Sequence, residues 1–537
     1  MCPELDASHV LVLMQASTTD YALCEMVGMD VSSDGMDREI EERGLREGPL
    51  ASRAYGTIGL SVMTPRVLPS RNASNPYLQH WWPMALTDQA LLQAVVLSSL
   101  SHERINGWLS AKPGGLSIDS YILPGLETCY SEAVATLNGV LRDPRRATTD
   151  TTILAVLMML EKPITKHHDK WIKKSPFQAP LQGLQWLNVH SAREPDLQHQ
   201  MGLCKLIHMR GGLANIETPG LAAAAFYRVL VNSTLLLCRP SLPFCALSDQ
   251  RTSELYIPIG ATDSLDILDG IGLSPVVHQV MRELKAYTSI IEQYMEGSSP
   301  TYGAPAICDM RNLVQYHLMS IGPVCSTRLN DLSEVCRLAT IIYSVGVTFP
   351  LAGGSTPFAT LSVDLMSELT ANKLMDSWYL LEKGDILLLW VLAMGGIAAP
   401  DRATRDWFIE SFAEVMYCSQ NVQWRRLGPK LQMILWSESA CNAAGTELWS
   451  EAYSLLQQRA EKHSSVLRDI SLRIVRPGYR AFLRVRYHVI YAGGGESGVI
   501  KGDLVNAVRM EALNALTQMA DWSGLGRKWV GFHNRIF

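Results

Sequence analysis

The feature that most constrains the fold is the apolar run LLLWVLAMGGIAA at Leu387–Ala399. Together with Ile386 it makes 14 residues without a polar side chain, whereas a helix that crosses a membrane needs about 20. A run of this length is typical of a helix in a protein core. Gly395 and Gly396 narrow the helix where another element packs closely against it. The sequence therefore predicts a buried helix here.

Apolar residues at helical spacing recur along much of the chain. Thr87 and Asp88 supply N-cap chemistry for a helix up to Ile105, and Thr149 with Asp150 does the same for the next strong pattern. Further helices are predicted at Ser131–Leu141, Thr151–Leu160, Gln198–Met209, Leu221–Leu237, Val276–Tyr294, Met310–Ser320, Asp331–Tyr343, Arg405–Met416 and Leu427–Arg459.

Strand signals are few, and the clearest is YHVIYAGGG from Tyr487. The prediction is an all-α fold, a large irregular multi-helix domain with little or no sheet. We expect a flexible N-terminal arm at 1–56, a helical domain at 57–455 and a partly helical C-terminal extension at 456–537. The irregular stretches Lys162–Pro195 and Ile474–Gly498 are either loops or insertions from imperfect gene modelling.

The net charge and the spacing of the cysteines argue against several classes of protein. The net charge of −5 gives no global attraction to nucleic acid. No two of the 11 cysteines are spaced as Cys-x-x-Cys, so neighbouring cysteines cannot build a zinc finger or cluster. We expect reduced, mostly buried cysteines. The opening MCPELDASHV lacks a basic start and a sustained apolar core, which predicts an intracellular protein.

Two motifs suggest chemistry that their surroundings do not support. Gly493, Gly495 and Gly498 have dinucleotide-fingerprint spacing, but no second strand follows, so a flexible loop is predicted. The histidines near the centre have no metal-ligand spacing, and a solvated loop is predicted for them; this set comprises His167, His168 with Asp169, His190 and His199. We assign no catalytic, cofactor-binding or metal-binding residue, and no enzyme motif is present.

Arginines and aromatic residues alternate near the C-terminus. This set comprises Arg468, Arg473, Arg476, Arg480, Arg484 and Arg486 with Tyr479, Phe482 and Tyr487. Such a segment can hold phosphates and stack on bases. Its arginine stems can equally cover a helical core while the charged heads stay in water.

The large apolar side chains of the helices raise the question of a ligand cavity. Its candidate lining residues are Trp390, Met394, Trp407, Phe408 and Trp436. Tryptophan and methionine adapt to irregular apolar ligands. Ordinary core packing is the expectation for any single one of them, whereas a pocket for an apolar metabolite is a hypothesis for the whole domain.

Five blocks then occur in one order: Asn75–His102, Leu206–Leu213, Leu332–Leu351, Leu387–Phe408 and Leu427–Trp449. Together they resemble the regulatory region of fungal-specific transcription factors, the second of two common domain types attached to zinc binuclear cluster proteins. The resemblance covers roughly Gly56 to Tyr453. It implies an all-helical domain that senses small molecules or binds partners.

The chain departs from this family in its first 60 residues, where only Cys2 and Cys24 stand in place of a six-cysteine cluster. The resemblance itself implies a nuclear or cytoplasmic regulator of a metabolic pathway, with secondary metabolism included. Without that cluster no direct sequence-specific DNA binding is expected, and its partners would be other regulators, the transcription machinery or a second copy. The alternatives are a cyclase- or isomerase-type enzyme on the same scaffold and a structural dimerisation partner.

Overall fold

The structure of the protein is a computed structural model. It describes residues 77–110, 126–160, 174–247, 257, 265–269, 271–297, 302–324, 332–354, 356–371 and 384–474. Throughout these ranges the regular structure is helical, with no strand, so the all-α prediction is confirmed. The chain divides by its internal contacts into two units, Met1–Gln458 and Arg459–Phe537, and every side-chain contact given below lies within the first.

Fifteen α-helices lie in the described ranges. They are α1 (Trp82–Thr87), α2 (Gln89–Ser110), α3 (Leu126–Leu141), α4 (Asp150–Met159), α5 (Leu187–Ser191), α6 (Leu197–Met209), α7 (Leu221–Leu235), α8 (Pro275–Met295), α9 (Ala304–Ser320), α10 (Ser333–Tyr343), α11 (Phe358–Ala371), α12 (Gly384–Ala398), α13 (Arg402–Cys418), α14 (Trp424–Gln432) and α15 (Glu438–Ile474). A π-helical turn at Ser344–Thr348 follows α10 directly.

Helix α12 is the interior helix that its apolar run predicts. Every residue from Leu387 to Ala398 is buried, and the helix packs against α10, α11, α13 and α14. Gly395 lies against the ring of Phe408, and its carbonyl accepts a 3.0 Å hydrogen bond from the Ser362 hydroxyl. Among the described helices none is both long enough and apolar enough to cross a membrane.

The predicted helix caps are confirmed. The Asp88 carboxylate accepts a 3.0 Å hydrogen bond from the backbone N–H of Leu91, near the start of α2. The Thr149 hydroxyl accepts one of 3.3 Å from the N–H of Thr152 and caps α4. Each cap satisfies one of the N–H groups that a helix start leaves without an intrahelical partner.

The single helix predicted at Leu427–Arg459 is wrong, because the structure places a break between α14 and α15. In this break, Ile434, Leu435 and Trp436 are all buried. The Leu435 carbonyl accepts a 2.6 Å hydrogen bond from the indole N–H of Trp390 on α12. This tertiary bond and the burial of three successive side chains favour a turn, although the apolar periodicity continues without interruption.

The described cysteines form no disulfide among themselves. Eight of them are free. Cys308, Cys336 and Cys441 are buried, three others are half-buried, and Cys238 and Cys418 are exposed. Among these eight described cysteines, fewer are therefore fully buried than the sequence predicts.

The Asp150 carboxylate joins the start of α4 to the segment between α6 and α7. It accepts hydrogen bonds of 2.8 Å from the backbone N–H groups of Glu217 and Thr218, and one of 3.0 Å from the Thr218 hydroxyl. Arg210 lies 3.3 Å from its other oxygen. Hydrogen bonds to a charged acceptor are stronger than neutral ones.

Replacing Asp150 by alanine is expected to lower the free energy of unfolding by about 1–2 kcal/mol, because it removes the acceptor of three hydrogen bonds. Urea denaturation of the full chain measures the loss. The control is Asp143→Ala, which removes one exposed contact to the N–H of Arg145 and should change the free energy of unfolding by less than about 0.5 kcal/mol. Equal losses in the two variants would contradict the assignment.

Candidate functional site

A cavity of about 700 Å³ opens between α8, the end of α10 and the break that joins α14 to α15. Its buried base, called the cavity floor below, consists of Thr288, Ile291, Tyr343, Leu435 and Trp436. Its exposed rim, called the cavity mouth, carries Gln178, Met295, Glu296, Glu438 and Ser439. Lys285 and Glu292 lie on the walls and are partly buried. A cavity of this size can hold a drug-sized molecule.

The two hydroxyl groups of the cavity floor form hydrogen bonds whose donors and acceptors can be assigned. The Thr288 hydroxyl donates to the carbonyl of Leu284 at 2.8 Å, so its single proton is already used. The Tyr343 hydroxyl lies 3.0 Å from the same Thr288 oxygen and must therefore be the donor of that pair. The phenol oxygen of Tyr343 keeps its acceptor capacity. Burial raises the pKa of Tyr343 well above its usual value, so the phenol is neutral.

Glu292 is the carboxylate that lies deepest among the acidic residues of the cavity. Burial raises the pKa of Glu292, a side-chain hydrogen bond from Ser437 lowers it, and the charges of Glu296 and Glu438 raise it further. Three carboxylates thus share one cavity, and two of them disfavour the ionised form of the third. A cation placed among them would reverse this effect.

The one lysine of the described cavity lining is engaged with the backbone. The Lys285 ammonium donates to the carbonyl of Met433 at 2.7 Å, at the start of the break between α14 and α15. At the cavity mouth, the Gln432 side-chain amide donates to the Glu438 carboxylate. Lys285 therefore ties α8 to the break and helps to fix one wall of the cavity.

The structure separates the residues that the sequence grouped as a pocket. Trp390, Met394 and Phe408 are fully buried in the core and do not line the cavity, which confirms the expectation of ordinary packing for each. Trp407 is half-buried, with its ring 5.0 Å from that of Phe408. Trp436 is the one member that lines the cavity.

The residues that give the cavity its chemistry were missed by sequence reasoning. Lys285, Thr288 and Glu292 on α8, and Glu296 directly after its end, follow one another at intervals of three or four residues, so they share one face. A polar row of this kind normally faces water, and its first three residues are covered at least in part because α10 and the break before α15 lie beside them. Tyr343 at the end of α10 carries no motif signal at all.

The solvated loop predicted for the central histidines is wrong for His190, and His199 lies on α6, within the helix predicted at Gln198–Met209; both side chains are buried. His190 lies on α5, which turns it toward the ring of Tyr227 at a centroid distance of 5.9 Å. The His199 imidazole bonds the Asp196 carboxylate at 2.7 Å, and the same aspartate caps α6. His167, His168 and Asp169 lie outside the described residues.

The remaining sequence candidates fall largely outside the described residues. Gly493, Gly495 and Gly498 lie there, as does the run of arginines and aromatic residues from Arg476 onward. Arg468 and Arg473 fall on the last part of α15, as does Ile474. These predictions stay predictions.

Two of the five family-like blocks meet at the cavity. Leu332–Leu351 supplies Tyr343, and Leu427–Trp449 supplies Leu435 and Trp436. No family model, no curated protein and no solved structure matches the chain. The resemblance to fungal regulators therefore rests on the sequence blocks alone.

Proposed function

We propose that this chain is a helical regulatory domain of the fungal transcription-factor type, which responds to a small molecule bound in the cavity. The observation that carries the proposal is the cavity itself, about 700 Å³ in volume. Pockets of such size with a few converging polar groups are the usual form of small-molecule sites. The order of the five sequence blocks supports the regulatory role, which would be exercised in the nucleus on genes of a metabolic pathway.

A route from the cavity into the core supports a switching role. Tyr343 ends α10, and the next residue begins the π-helical turn at Ser344–Thr348. The Ser344 hydroxyl donates to the Gln315 side-chain oxygen at 2.5 Å, and the Gln315 amide donates to the Thr234 hydroxyl at 3.1 Å. Through the peptide bond from Tyr343 to Ser344, the cavity floor is thus connected to hydrogen bonds that reach α9 and α7.

Ligand binding would act by a population shift. A molecule that binds one arrangement of α8, α10 and the π-helical turn more tightly than another moves the equilibrium toward that arrangement. The outcome would be exposure or covering of a surface for other regulators or the transcription machinery. Since no zinc cluster is encoded by closely spaced cysteines, the chain would reach promoters through a partner.

A reporter experiment tests the regulatory role. The full chain is fused to a heterologous DNA-binding domain and placed upstream of a reporter gene, and in parallel its gene is deleted and all transcripts are measured. We expect the fused chain to change reporter output and the deletion to change transcripts of one pathway at least about fivefold. If the fusion leaves the reporter silent and the deletion leaves transcripts unchanged, the regulatory role is wrong.

A pair of tryptophan substitutions links that role to the cavity. Ser439→Trp places an indole in the cavity mouth and is expected to change the reporter output of the fused chain, because it blocks access of a ligand to the cavity. Ser450→Trp is the matched control, since Ser450 is also exposed and lies on the same helix three turns further along, away from the cavity. The control variant should behave like the unmodified chain. An equal effect of the two tryptophan variants would show that regulation does not depend on the cavity.

The same cavity favours one second candidate, an enzyme of the cyclase or isomerase type. Burial raises the pKa of Glu292, and a carboxyl group with a raised pKa can serve as a general acid. The neutral Tyr343 phenol faces the same space. The deletion distinguishes the candidates, because unchanged transcripts with an accumulating intermediate favour the enzyme.

A further inference from the structure

We infer that the cavity binds an organic cation, an amine with its ammonium group among the glutamates and its apolar body against the cavity floor. This inference rests on the proposed function for the role of the cavity and deepens it by naming the ligand class. Three features of the described lining support it: the hydrogen-bond acceptors that it presents, its excess of negative charge and the Trp436 indole in its floor.

The first feature is that three donors of the cavity are engaged within the protein, whereas two of its acceptors can take further hydrogen bonds. Thr288 donates to Leu284, Tyr343 donates to Thr288, and Lys285 donates to Met433. Tyr343 and Glu292 line the cavity, and their oxygens keep acceptor capacity beyond the bond between Tyr343 and Thr288 and the bond from Ser437 to Glu292. A ligand that brings N–H donors of its own can bond to these acceptors.

The second feature is the balance of charge. Glu292, Glu296 and Glu438 face one lysine across the described lining. Because Glu296 and Glu438 raise the pKa of Glu292 through charge repulsion, the three carboxylates lie close enough to interact. A monovalent or divalent organic cation among them would relieve this repulsion, whereas an anionic ligand would increase it.

The third feature is the aromatic side chain of Trp436 in the cavity floor. The indole of Trp436 is held by a 2.8 Å hydrogen bond from its N–H to Asn442 and lies 6.2 Å from the ring of Trp424. It also packs so closely on Gly445 that a Cβ atom there would lie 2.6 Å from the indole. A rigid indole face attracts ammonium groups and apolar ligand bodies alike.

These features together favour an organic cation over a metal ion. Among the described residues, no group of three or more histidine, cysteine, aspartate or glutamate side chains could hold a metal ion. The three carboxylates of the cavity therefore do not form such a group. A cavity of about 700 Å³ with the Trp436 indole in its floor has room for a molecule with one charged group and a larger apolar part.

The test uses three probes with one apolar body and different head groups: 2-phenylethylamine, 2-phenylethanol and phenylacetate. Isothermal titration calorimetry of the full chain measures each dissociation constant. We expect the amine to bind at least about tenfold more tightly than the alcohol, and phenylacetate to bind least. In the Glu292→Gln variant the amine should lose at least about tenfold in affinity, while affinity for the alcohol should change less than about twofold.

The matched control is Glu410→Gln, which removes the same charge from an exposed position on α13 outside the cavity. It should leave all three dissociation constants unchanged. Tyr343→Phe provides a second variant in the cavity floor and should weaken amine binding at least about threefold, through loss of the acceptor oxygen. A thermal melt of each variant checks that it folds.

The outcomes separate this inference from the proposed function. If the alcohol or phenylacetate binds as tightly as the amine, and Ser439→Trp blocks that binding, the cavity is a small-molecule site but the cation assignment is wrong. If none of the three probes binds, the cation assignment is also wrong, and the regulatory role is decided by the reporter experiment alone. If Glu410→Gln weakens the amine as much as Glu292→Gln does, binding depends on overall charge and the site is not this cavity.

Discussion

Replacing Arg311 by alanine is expected to lower the free energy of unfolding by about 3–5 kcal/mol. Arg311 on α9 is 2 % exposed. Its guanidinium donates to the Leu184 carbonyl at 2.8 Å, the Gln185 side-chain oxygen at 2.6 Å and the Asn312 side-chain oxygen at 3.2 Å. Removal leaves a void and buried acceptors without their donor.

The backbone beside Arg311 adds to this expectation. Gln185 and Trp186 both adopt φ of 54°, the left-handed region that non-glycine residues rarely occupy. Arg311 bonds the backbone of the residue before them and the side chain of Gln185, so it helps to hold this turn in place. Without those bonds the turn loses a constraint that offsets its strain of about 1 kcal/mol per residue.

Guanidinium denaturation of the full chain, followed by circular dichroism, measures the effect. Arg402→Ala is the control, since Arg402 is 74 % exposed and its ion pairs with Asp406 and Glu451 lie at the surface. Exposed ion pairs contribute little, so the control should lose less than about 1 kcal/mol. A loss from Arg311→Ala no larger than that of the control would show that the buried guanidinium does not stabilise the fold.

Replacing Gly395 by valine is expected to lower the free energy of unfolding by about 3 kcal/mol, the upper end of the range for overpacked cores. A Cβ atom at Gly395 would overlap the ring of Phe408, which is itself fully buried. Gly396 is similarly close to Leu448, with 2.9 Å from a Cβ to the nearest side-chain carbon. The ring has no space to move away, because packed interiors contain few voids.

Gly139→Val is the matched control for this prediction. Gly139 lies on α3, is exposed, and has no atom within 4 Å of a Cβ. Valine has a slightly better helix propensity than glycine, so the control should change the free energy of unfolding by less than about 0.5 kcal/mol. Combining Gly395→Val with Phe408→Leu should restore part of the loss, and a fully additive double variant would contradict direct contact between the two sites.

The helical class and many helix positions were predictable because they depend on local patterns. Val276–Tyr294 was predicted for a helix that spans Pro275–Met295, and Gln198–Met209 for one that spans Leu197–Met209. The burial of α12 was predictable from its composition, because a helix that is apolar on all sides has no polar face to expose to solvent.

Other elements depended on context that the sequence pattern does not carry. Helix α11 at Phe358–Ala371 was missed, although its apolar residues are spaced for one buried face. The break before α15 was missed because no glycine or proline marks it. Its turn is stabilised by the bond from Trp390 to Leu435, whose partners are 45 residues apart.

The sequence by itself determined the all-helical class, the buried helix α12 and the caps at Asp88 and Thr149, since each depends on residues within a few positions of one another. Only the tertiary structure decided that His190 is buried and that Glu292 and Tyr343 face one cavity. The physical reason is that burial and pKa depend on which distant segments cover a side chain. Local periodicity places a residue on a helix face and does not say what packs against that face.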